Sequence, residues 1–306
     1  MPTAPNLRPG LAQIVAPGVR RILAPNPSPM TGPGTNSYLL GHGASVVLID
    51  PGPDLAIHHD ALMAALAPDE AIGTIIVTHA HLDHSAGARA MAERTDAPIL
   101  AFGAATAGRS TTMTRIVAAG LEGGGEGIDH SFRPDRCLSD GEQLGFAHGM
   151  VEVVHTPGHM GGHISLAYGD VLLSGDHAMG WASSLISPPD GDMGAYLASL
   201  DRLAARRWRI MLPGHGPEVT DPAQRLGALA AHRRQREAQV LAALRAGPAT
   251  AATLARDIYT ETPSALLPAA RRNVLAHLID LMERNEVFPH SPLTAETVFS
   301  LFPPPK

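Results

Sequence analysis

Hydrophobic positions in the first 220 residues come in short runs separated by glycine- and proline-rich segments. The run 74–78, Thr-Ile-Ile-Val-Thr, is apolar or β-branched throughout and of strand length, which predicts a buried strand. The runs 37–41 and 44–50 predict two paired strands joined by a glycine turn. Similar patterns predict strands at 97–102, 150–155, 164–168, 171–175 and 208–212, and helices at 55–68, 85–94 and 193–206. Intermixed strands and helices predict a layered α/β domain.

The pattern changes after Asp221. Residues 222–246 form one long helical pattern rich in Ala, Leu and Arg, which ends at a Gly-Pro pair. Two further helical patterns follow at 250–259 and 264–284, and then a short apolar end at 287–288. We therefore predict a catalytic domain at 1–220. A small C-terminal all-helical, winged-helix-like domain, with a β-like ribbon at its end, is predicted at 221–306.

Composition excludes several classes of protein. The net charge of −6 and the pI of about 6.2 argue against a globally basic nucleic-acid binder. The sequence shows neither a membrane-spanning apolar run nor the apolar segment of a secretory signal, so we expect a cytoplasmic protein without a membrane partner. The single cysteine, Cys137, excludes an intramolecular disulfide and a cysteine-rich zinc site. No histidine lies beside it, and we interpret it as a packing residue rather than a nucleophile.

Histidine is abundant, with 16 residues, and several histidines stand directly after predicted strands. The densest segment is 79–84, His-Ala-His-Leu-Asp-His, where alternate side chains of an extended turn can point to the same side. Other predicted strands are each followed by one candidate ligand: His159, Asp176, His215 and, more weakly, Asp50. One histidine at a strand end is usually a packing residue, but chance rarely produces this whole series. The series predicts a metal site.

Zinc prefers histidine nitrogen and carboxylate oxygen, and catalytic sites leave one position open. Three ligands suit one metal and three suit a second: His79, His81 and His159 for the first, and Asp83, His84 and His215 for the second. Asp176 can bridge them. Two such ions share a water whose pKa falls towards neutrality. The residues thus predict a hydrolase that uses a metal-bridging hydroxide and two divalent ions, Zn²⁺ foremost, although Fe or Mn suits the same ligands.

With these motifs the sequence resembles the metallo-β-lactamase-fold hydrolases over about residues 20–220. The resemblance is carried by the seven candidate ligands, and Asp50 matches the structural aspartate of the family's first motif. It implies a four-layer αβ/βα sandwich with the metals at one edge between two sheets. In the family, the aspartate that matches Asp83 binds the second metal and orients the hydroxide, which implies a catalytic role for Asp83.

Residues 26–30, 34–39 and 232–237 further resemble the β-lactamase-like protein 2 subgroup. Eukaryotic members of this subgroup are endoribonucleases that prefer single strands. The commonest zinc β-lactamases carry cysteine at the position of Asp176, so the aspartate here argues against β-lactam hydrolysis.

Three functions remain open. The first is a phosphodiesterase or endoribonuclease on single-stranded RNA, for which five arginines could form a basic patch, or could equally be solvated and paired with carboxylates: Arg233, Arg234, Arg236, Arg271 and Arg272. The second is a thioester, ester or lactone hydrolase, as in glyoxalase II-like or lactonase-like relatives. The third is a non-catalytic binding protein, which the intact ligand set disfavours. We expect a small-molecule or RNA substrate, and a homodimer is compatible with the sequence.

Four features near the predicted site have two interpretations. His163 and His177 could protonate a leaving group, or could hold loops by hydrogen bonding. Tyr196 could lie at the site mouth, although packing within a helix is the ordinary role for it. The glycine-rich segment 121–127 is either a solvated loop or a mobile flap.

Overall fold

The computed structural model describes residues 7–123 and 127–302. Its first sheet has seven strands in chain order: β1 (Gln13–Ala16), β2 (Val19–Leu23), β3 (Asn36–Leu40), β4 (Val46–Ile49), β5 (Ile72–Ile76), β6 (Ile99–Ala101) and β7 (Arg136–Cys137). Strands β1 to β4 pair antiparallel, and β4 to β7 pair parallel.

The second sheet has five strands: β8 (Gln143–Phe146), β9 (Gly149–His155), β10 (Ile164–Tyr168), β11 (Val171–Gly175) and β12 (Ile210–Pro213). Strands β8 to β11 form an antiparallel meander, and β12 joins β11 in parallel. The helices of the described chain are α1 (Ala56–Ala64), α2 (Leu82–Ser85), α3 (Ala88–Thr95), α4 (Thr111–Ala118), α5 (Met193–Ala204), α6 (Pro222–Leu244), α7 (Ala251–Ile258) and α8 (Leu267–Glu283). No helix in this described part is long and apolar enough to cross a membrane.

Side-chain alternation along the central strands produces the layers. Tyr38 and Leu40 of β3 point into a core between the two sheets, where they join residues of β9 to β12. Leu39 points to the opposite face and packs in the core that Leu62 of α1 and Met91 of α3 cover. Both faces of β3 are therefore buried, and its polar residues Asn36 and Ser37 are buried with hydrogen-bond partners.

The outer face of the second sheet is covered by α5 and α6. Leu172 of β11 and Met211 of β12 pack there with Leu200 of α5 and Leu226 of α6. The order helix, sheet, sheet, helix is the predicted four-layer αβ/βα sandwich, which is confirmed.

The C-terminal residues form a separate core of α7, α8 and a three-stranded sheet of β13 (Ala249–Thr250), β14 (Val287–Pro289) and β15 (Val298–Leu301). The winged-helix-like character is as predicted, but the unit is not all-helical, since the expected ribbon is a sheet that includes β13. The pattern around β13 is too short to be read as a strand. Its two residues gain their place only by pairing with β15.

Helix α6 belongs to two cores. Asp221 caps its first turn by accepting a hydrogen bond from the amide of Gln224 at 3.0 Å. Leu226 near its start packs on the second sheet, whereas Val240 and Leu244 near its end pack in the C-terminal core. Helix α4, from the middle of the catalytic region, also packs in the C-terminal core. The domain boundary at 220 stays a prediction, and the two units share elements across it.

Candidate metal centre

The candidate ligands converge at one edge of the sandwich because each follows the end of a strand. Residues 79–84 follow β5 and lead into α2, and His159 lies in the connection between β9 and β10. Asp176 comes directly after β11, and His215 shortly after β12. The carboxyl ends of these strands meet where the two sheets separate. The structure thus brings together all seven residues that the sequence proposed as ligands.

The first group consists of His79, His81 and His159, all buried. His81 Nδ1 lies 3.1 Å from His79 Nε2 and 3.1 Å from His159 Nε2. Tetrahedral zinc with bonds of about 2.0–2.1 Å would set its nitrogens roughly 3.3 Å apart. The spacing of these three nitrogens suits one such ion.

The second group consists of Asp83, His84 and His215. Asp83 Oδ2 lies 3.5 Å from His84 Nε2 and 3.2 Å from His215 Nε2. Asp176 stands between the groups, with Oδ1 3.4 Å from His84 Nε2 and Oδ2 3.8 Å from His159 Nε2. Its buried Oδ1 accepts no hydrogen bond from any of the described residues, an unsatisfied state that a cation would relieve. The placement suits a bridging carboxylate.

Five of the candidate ligands are histidines. Four of them have one ring nitrogen hydrogen-bonded to a protein oxygen, which leaves the other nitrogen facing the cluster. His159 Nδ1 donates to the carbonyl of Leu185 at 2.7 Å, and His215 Nδ1 donates to that of Gly34 at 3.1 Å. His79 and His84 are fixed in the same way, by Thr78 and Asp50. Such outer hydrogen bonds select the tautomer that a metal ligand needs.

Asp50 is buried and lies behind the site, as the resemblance implied. Its carboxylate accepts three hydrogen bonds: from the Thr78 amide at 2.7 Å, from the Thr78 hydroxyl at 2.8 Å and from His84 Nδ1 at 2.9 Å. Thr78 Oγ1 in turn accepts from His79 Nδ1 at 3.0 Å. One carboxylate therefore orients a histidine of each group, His79 through Thr78 and His84 directly.

The histidines of the two groups differ in the direction in which the protein shifts their pKa values. Burial, reinforced by neighbouring histidines, lowers the pKa of His79 well below its usual value and that of His81 to about 3. Burial acts against protonation of His84 as well, but Asp83, Asp176 and Asp50 outweigh it and raise the pKa of His84 well above its usual value. The pKa of His215 rises to about 9 for a similar reason. The carboxylates around the second group thus create a negative potential there, which favours positive charge either as protons on the histidines or as a cation.

His163 is buried in the position expected for a residue that holds the loop. Its Nε2 accepts from the Asp176 amide at 3.1 Å, and its Nδ1 donates to Thr156 Oγ1 at 2.9 Å. Burial lowers the pKa of His163 well below its usual value, so the ring is rarely protonated near neutral pH and is seldom available as a general acid. Both ring nitrogens are occupied, which favours positioning over proton transfer.

His177 and Tyr196 lie against each other behind the site, with ring centroids 4.7 Å apart. Both are fully buried, and burial lowers the pKa of His177 to about 3. Neither side chain reaches the cleft, so the packing interpretation fits both.

Two other features of the sequence have different outcomes. Residues 124–126 of the hypothetical flap lie outside the described residues. We expected Cys137 to be a packing residue, but it is exposed on β7 as a free cysteine.

The cluster opens into a cleft of about 1320 Å³ between the catalytic region and the C-terminal unit. Asp83, Asp176 and His215 line one part of it. The rest of the lining is mainly apolar, although it also includes Arg256, Arg271 and Arg272. Its large apolar side chains come from several elements: Met30, Trp181, Leu185, Tyr259, Leu266 and Leu267. Asp83 is the most exposed ligand, with 28% of its side chain accessible. A substrate in the cleft would therefore approach the cluster beside Asp83.

Sequence reasoning missed three residues that act on this cluster. Thr35 Oγ1 donates to Asp83 Oδ2 at 3.1 Å, and Ser184 Oγ donates to the main-chain oxygen of Asp176 at 2.5 Å. The Leu185 carbonyl fixes His159. The first lies in the segment 34–39 that carried the subgroup resemblance. The other two lie in an irregular loop whose sequence carries no signal.

Comparison with known proteins agrees with this geometry. The Metallo-beta-lactamase superfamily profile matches residues 30–215, and that of the Beta-lactamase associated winged helix domain matches residues 250–291. A Beta-lactamase-like protein 2 homolog of Drosophila melanogaster is 32% identical over 280 residues, covering 88% of this chain and 89% of the relative. An Atrochrysone carboxyl ACP thioesterase of Aspergillus fumigatus is 29% identical over 270 residues, covering 82% of this chain and 76% of the relative.

Two solved structures share the fold over nearly the whole chain. A metallo-beta-lactamase family protein from Thermus thermophilus has a TM-score of 0.73 and 25% identity, covering 94% of this chain and 100% of that one. A Beta-lactamase domain protein from Burkholderia ambifaria has a TM-score of 0.79 and 22% identity, covering 98% and 96%. With its two sheets, its cluster of histidines and aspartates and its winged helix, the chain belongs to the metallo-beta-lactamase superfamily of hydrolases.

Proposed function

We propose that this protein is a dinuclear metal hydrolase of thioesters, or of chemically similar carboxyl esters, with an extended apolar acyl group. The observation that carries the proposal is the cleft, which joins the candidate metal ligands to an apolar wall. Its volume of about 1320 Å³ exceeds the roughly 300–1000 Å³ of ordinary small-ligand pockets. A short lactone would fill only a fraction of it.

The residues that would hold the two ions are those of the two groups, with Asp176 between them. Zn²⁺ suits this set of nitrogen and carboxylate donors best, and metal analysis would distinguish it from Fe or Mn. When bound, the ions activate water and polarise the substrate oxygen. Asp83 accepts a hydrogen bond from Thr35, which leaves its second oxygen available to orient water. Asp83 is therefore the residue that we assign to catalysis.

The arginines that were candidates for binding RNA are held by groups within the protein. Arg233 is buried, and Arg234 pairs with both oxygens of Asp201 at 3.0 and 3.1 Å. Arg236 lies over the Tyr259 ring at 4.4 Å, and Arg271 pairs with Glu296 at 2.5 Å.

Arg272 donates to Ser187 Oγ at 2.8 Å. Binding of RNA depends mainly on contacts to phosphate, which these arrangements disfavour. They support an uncharged acyl substrate over RNA. Arg234 and Arg271 have the carboxylate partners that the solvated interpretation expects, whereas Arg233 is buried and donates to a carbonyl and an amide oxygen.

The Aspergillus fumigatus relative supplies independent support, since that protein is named as a carboxyl ACP thioesterase. A thioester carbonyl needs a polarising group at its oxygen and a nucleophile at its carbon. Bound ions would supply both, and candidate ligands that would hold them line one part of the cleft. The acyl chain would gain about 25 cal/mol for each Å² of apolar surface that it buries there.

A substrate panel tests the proposal. Metal-loaded protein is assayed against acyl thioesters of increasing chain length, against lactones and against unstructured single-stranded RNA. We expect kcat/KM to rise with acyl length, and turnover to be lost on chelation and in Asp83→Ala. Asp69→Ala, which removes an exposed carboxylate, is the control and should leave turnover unchanged.

Two outcomes would overturn the proposal. Cleavage of RNA without turnover of thioesters would restore the ribonuclease hypothesis. Metal-loaded protein that turns over no member of the panel would favour the binding-protein alternative. Assembly as a homodimer and a cytoplasmic location stay predictions, which gel filtration and fractionation would test.

A further inference from the structure

We infer that Arg233 and Asn273, in α6 and α8, are positioning residues for the metal centre, so that the C-terminal helices complete the hydrolytic site. The inference rests on the proposed metal site and not on the proposed substrate. Arg233 is a buried cation whose location packing does not explain, and it contacts one loop, residues 184–186, which we call the bracing loop.

Arg233 is only 1% exposed and is the largest fully buried side chain of the described residues. Among those residues no carboxylate forms an ion pair with it. Its guanidinium lies 5.5 Å from the Tyr196 ring and donates to the carbonyl of Ser184 and, at 3.2 Å, to Asn273 Oδ1. A buried charge without a counter-ion is costly, so stability alone does not explain this residue.

Asn273 attaches the bracing loop at a second point. Its Oδ1 accepts from the Ile186 amide at 3.0 Å as well as from Arg233. Its Nδ2 donates to the Ala269 carbonyl one turn earlier at 3.2 Å, which fixes the orientation of the amide. Two side chains from the C-terminal helices therefore hold the loop at both of its ends.

The bracing loop in turn holds two of the proposed ligands. The Leu185 carbonyl accepts from His159 Nδ1 at 2.7 Å, which directs Nε2 to the first group of ligands. The Ser184 hydroxyl donates to the main-chain oxygen of Asp176, the residue between the groups. The path from Arg233 to either ligand thus runs through this short loop, and a change in the loop would alter both groups.

The test measures metal binding rather than turnover. Metal-free protein is titrated with Co²⁺, whose visible absorption reports ligand geometry. We expect wild type to bind two ions, and Arg233→Met to bind at least one of them roughly 10- to 100-fold more weakly with an altered spectrum, as for other residues that orient ligands. Arg233→Lys retains a donor and should restore part of the affinity. Arg234→Met is the matched control, since Arg234 is next to it but exposed.

Asn273→Ala makes the test independent of how well Arg233→Met folds, because it leaves the buried cation in place. It should weaken Co²⁺ binding, whereas Asn273→Asp retains an acceptor and should bind nearly as wild type does. If Arg233→Met and Asn273→Ala both bind Co²⁺ with the affinity and spectrum of Arg234→Met, the inference is wrong while the metal site stands. If wild type itself binds no Co²⁺, the proposed metal site is wrong, and the inference with it.

Discussion

Substitution of Asp50 by asparagine tests how the site is held from behind. Asparagine can keep one oxygen on the Thr78 amide, but its NH₂ group then faces His84 Nδ1 and the Thr78 hydroxyl, both of which donate to Asp50 in the wild type. The hydroxyl can rotate and accept. His84 can accept only by moving its proton to Nε2, the nitrogen that faces the candidate metal position. The substitution thus acts on both stability and metal binding.

The magnitude follows from the lost bonds. A hydrogen bond to a charged group contributes about 1.5–3 kcal/mol, and two such bonds are lost or reversed at a carboxylate that is 2% exposed. We expect the free energy of unfolding of the metal-free protein to fall by about 3 kcal/mol, and its Tm by roughly 5 °C for a chain of 306 residues. Because the His84 tautomer becomes unfavourable, metal affinity should fall roughly 10- to 100-fold.

Thermal unfolding of metal-free protein, followed by metal titration at 25 °C, measures the two effects separately. Asp60→Asn is the control, because Asp60 pairs with Arg94 on the surface, where both side chains are exposed. Such a pair contributes less than about 1 kcal/mol. Equal Tm values for Asp50→Asn and Asp60→Asn, together with unchanged metal affinity, would refute the role assigned to Asp50.

Three further changes test other parts of the structure. Gly158→Ala should lower the free energy of unfolding by roughly 3 kcal/mol in a thermal-unfolding assay, because φ is +141° and the added Cβ would lie 2.3 Å from Tyr196 Cα. Gly169→Ala, which has open space around the added Cβ, should lower it less, and equal losses would contradict this explanation. Burial lowers the pKa of His277 to about 3, so below pH 6.5 the unfolded chain binds more protons than the folded protein does, and stability falls by about 2 kcal/mol by pH 5. His277→Leu should flatten the dependence of Tm on pH, and an unchanged slope would exclude this histidine as its source. Trp181→Ala should raise KM about tenfold for long acyl thioesters and leave short ones unchanged, and an equal effect on both would remove Trp181 from the acyl wall.

The candidate ligands were predictable from the sequence because their signal is local. Each follows a strand, glycine marks the turn beside His159, Asp176 and His215, and the residue type itself shows the chemistry. His79 and His81 are recognisable within one segment, and His159 and Asp176 are recognisable by their flanking glycines. Their convergence needed only the expectation that these strands end at one edge.

The strands and helices that the sequence did not predict, such as β2 and α4, are stabilised by contacts with residues far away in the chain. Strand β2 contains two charged residues, Arg20 and Arg21, which interrupt its apolar pattern and hide the strand in the sequence. Arg20 pairs with Glu70 at 2.7 Å, and Arg21 with Glu218 at 2.9 Å, so the strand is buried in spite of two charges. Helix α4 is amphipathic, but the partners that its apolar face packs against lie in the C-terminal core. No local pattern contains these pairings, and the same is true of the contact from Arg233 to the bracing loop.

Helix α6 is shared by two cores and follows all the candidate ligands in the chain. The ribosome therefore synthesises the ligands before it synthesises the helix that completes the fold. All seven candidate ligands have been translated by residue 215, yet the outer face of the second sheet is fully covered only when Leu226 and its neighbours have left the ribosome. At about 5–20 residues per second, Leu226 follows Met211 after roughly 1–3 s, and until then α5 is the only one of the two covering helices available to Leu172 and Met211. During that interval the nascent chain presents an apolar sheet surface of the kind that chaperones bind.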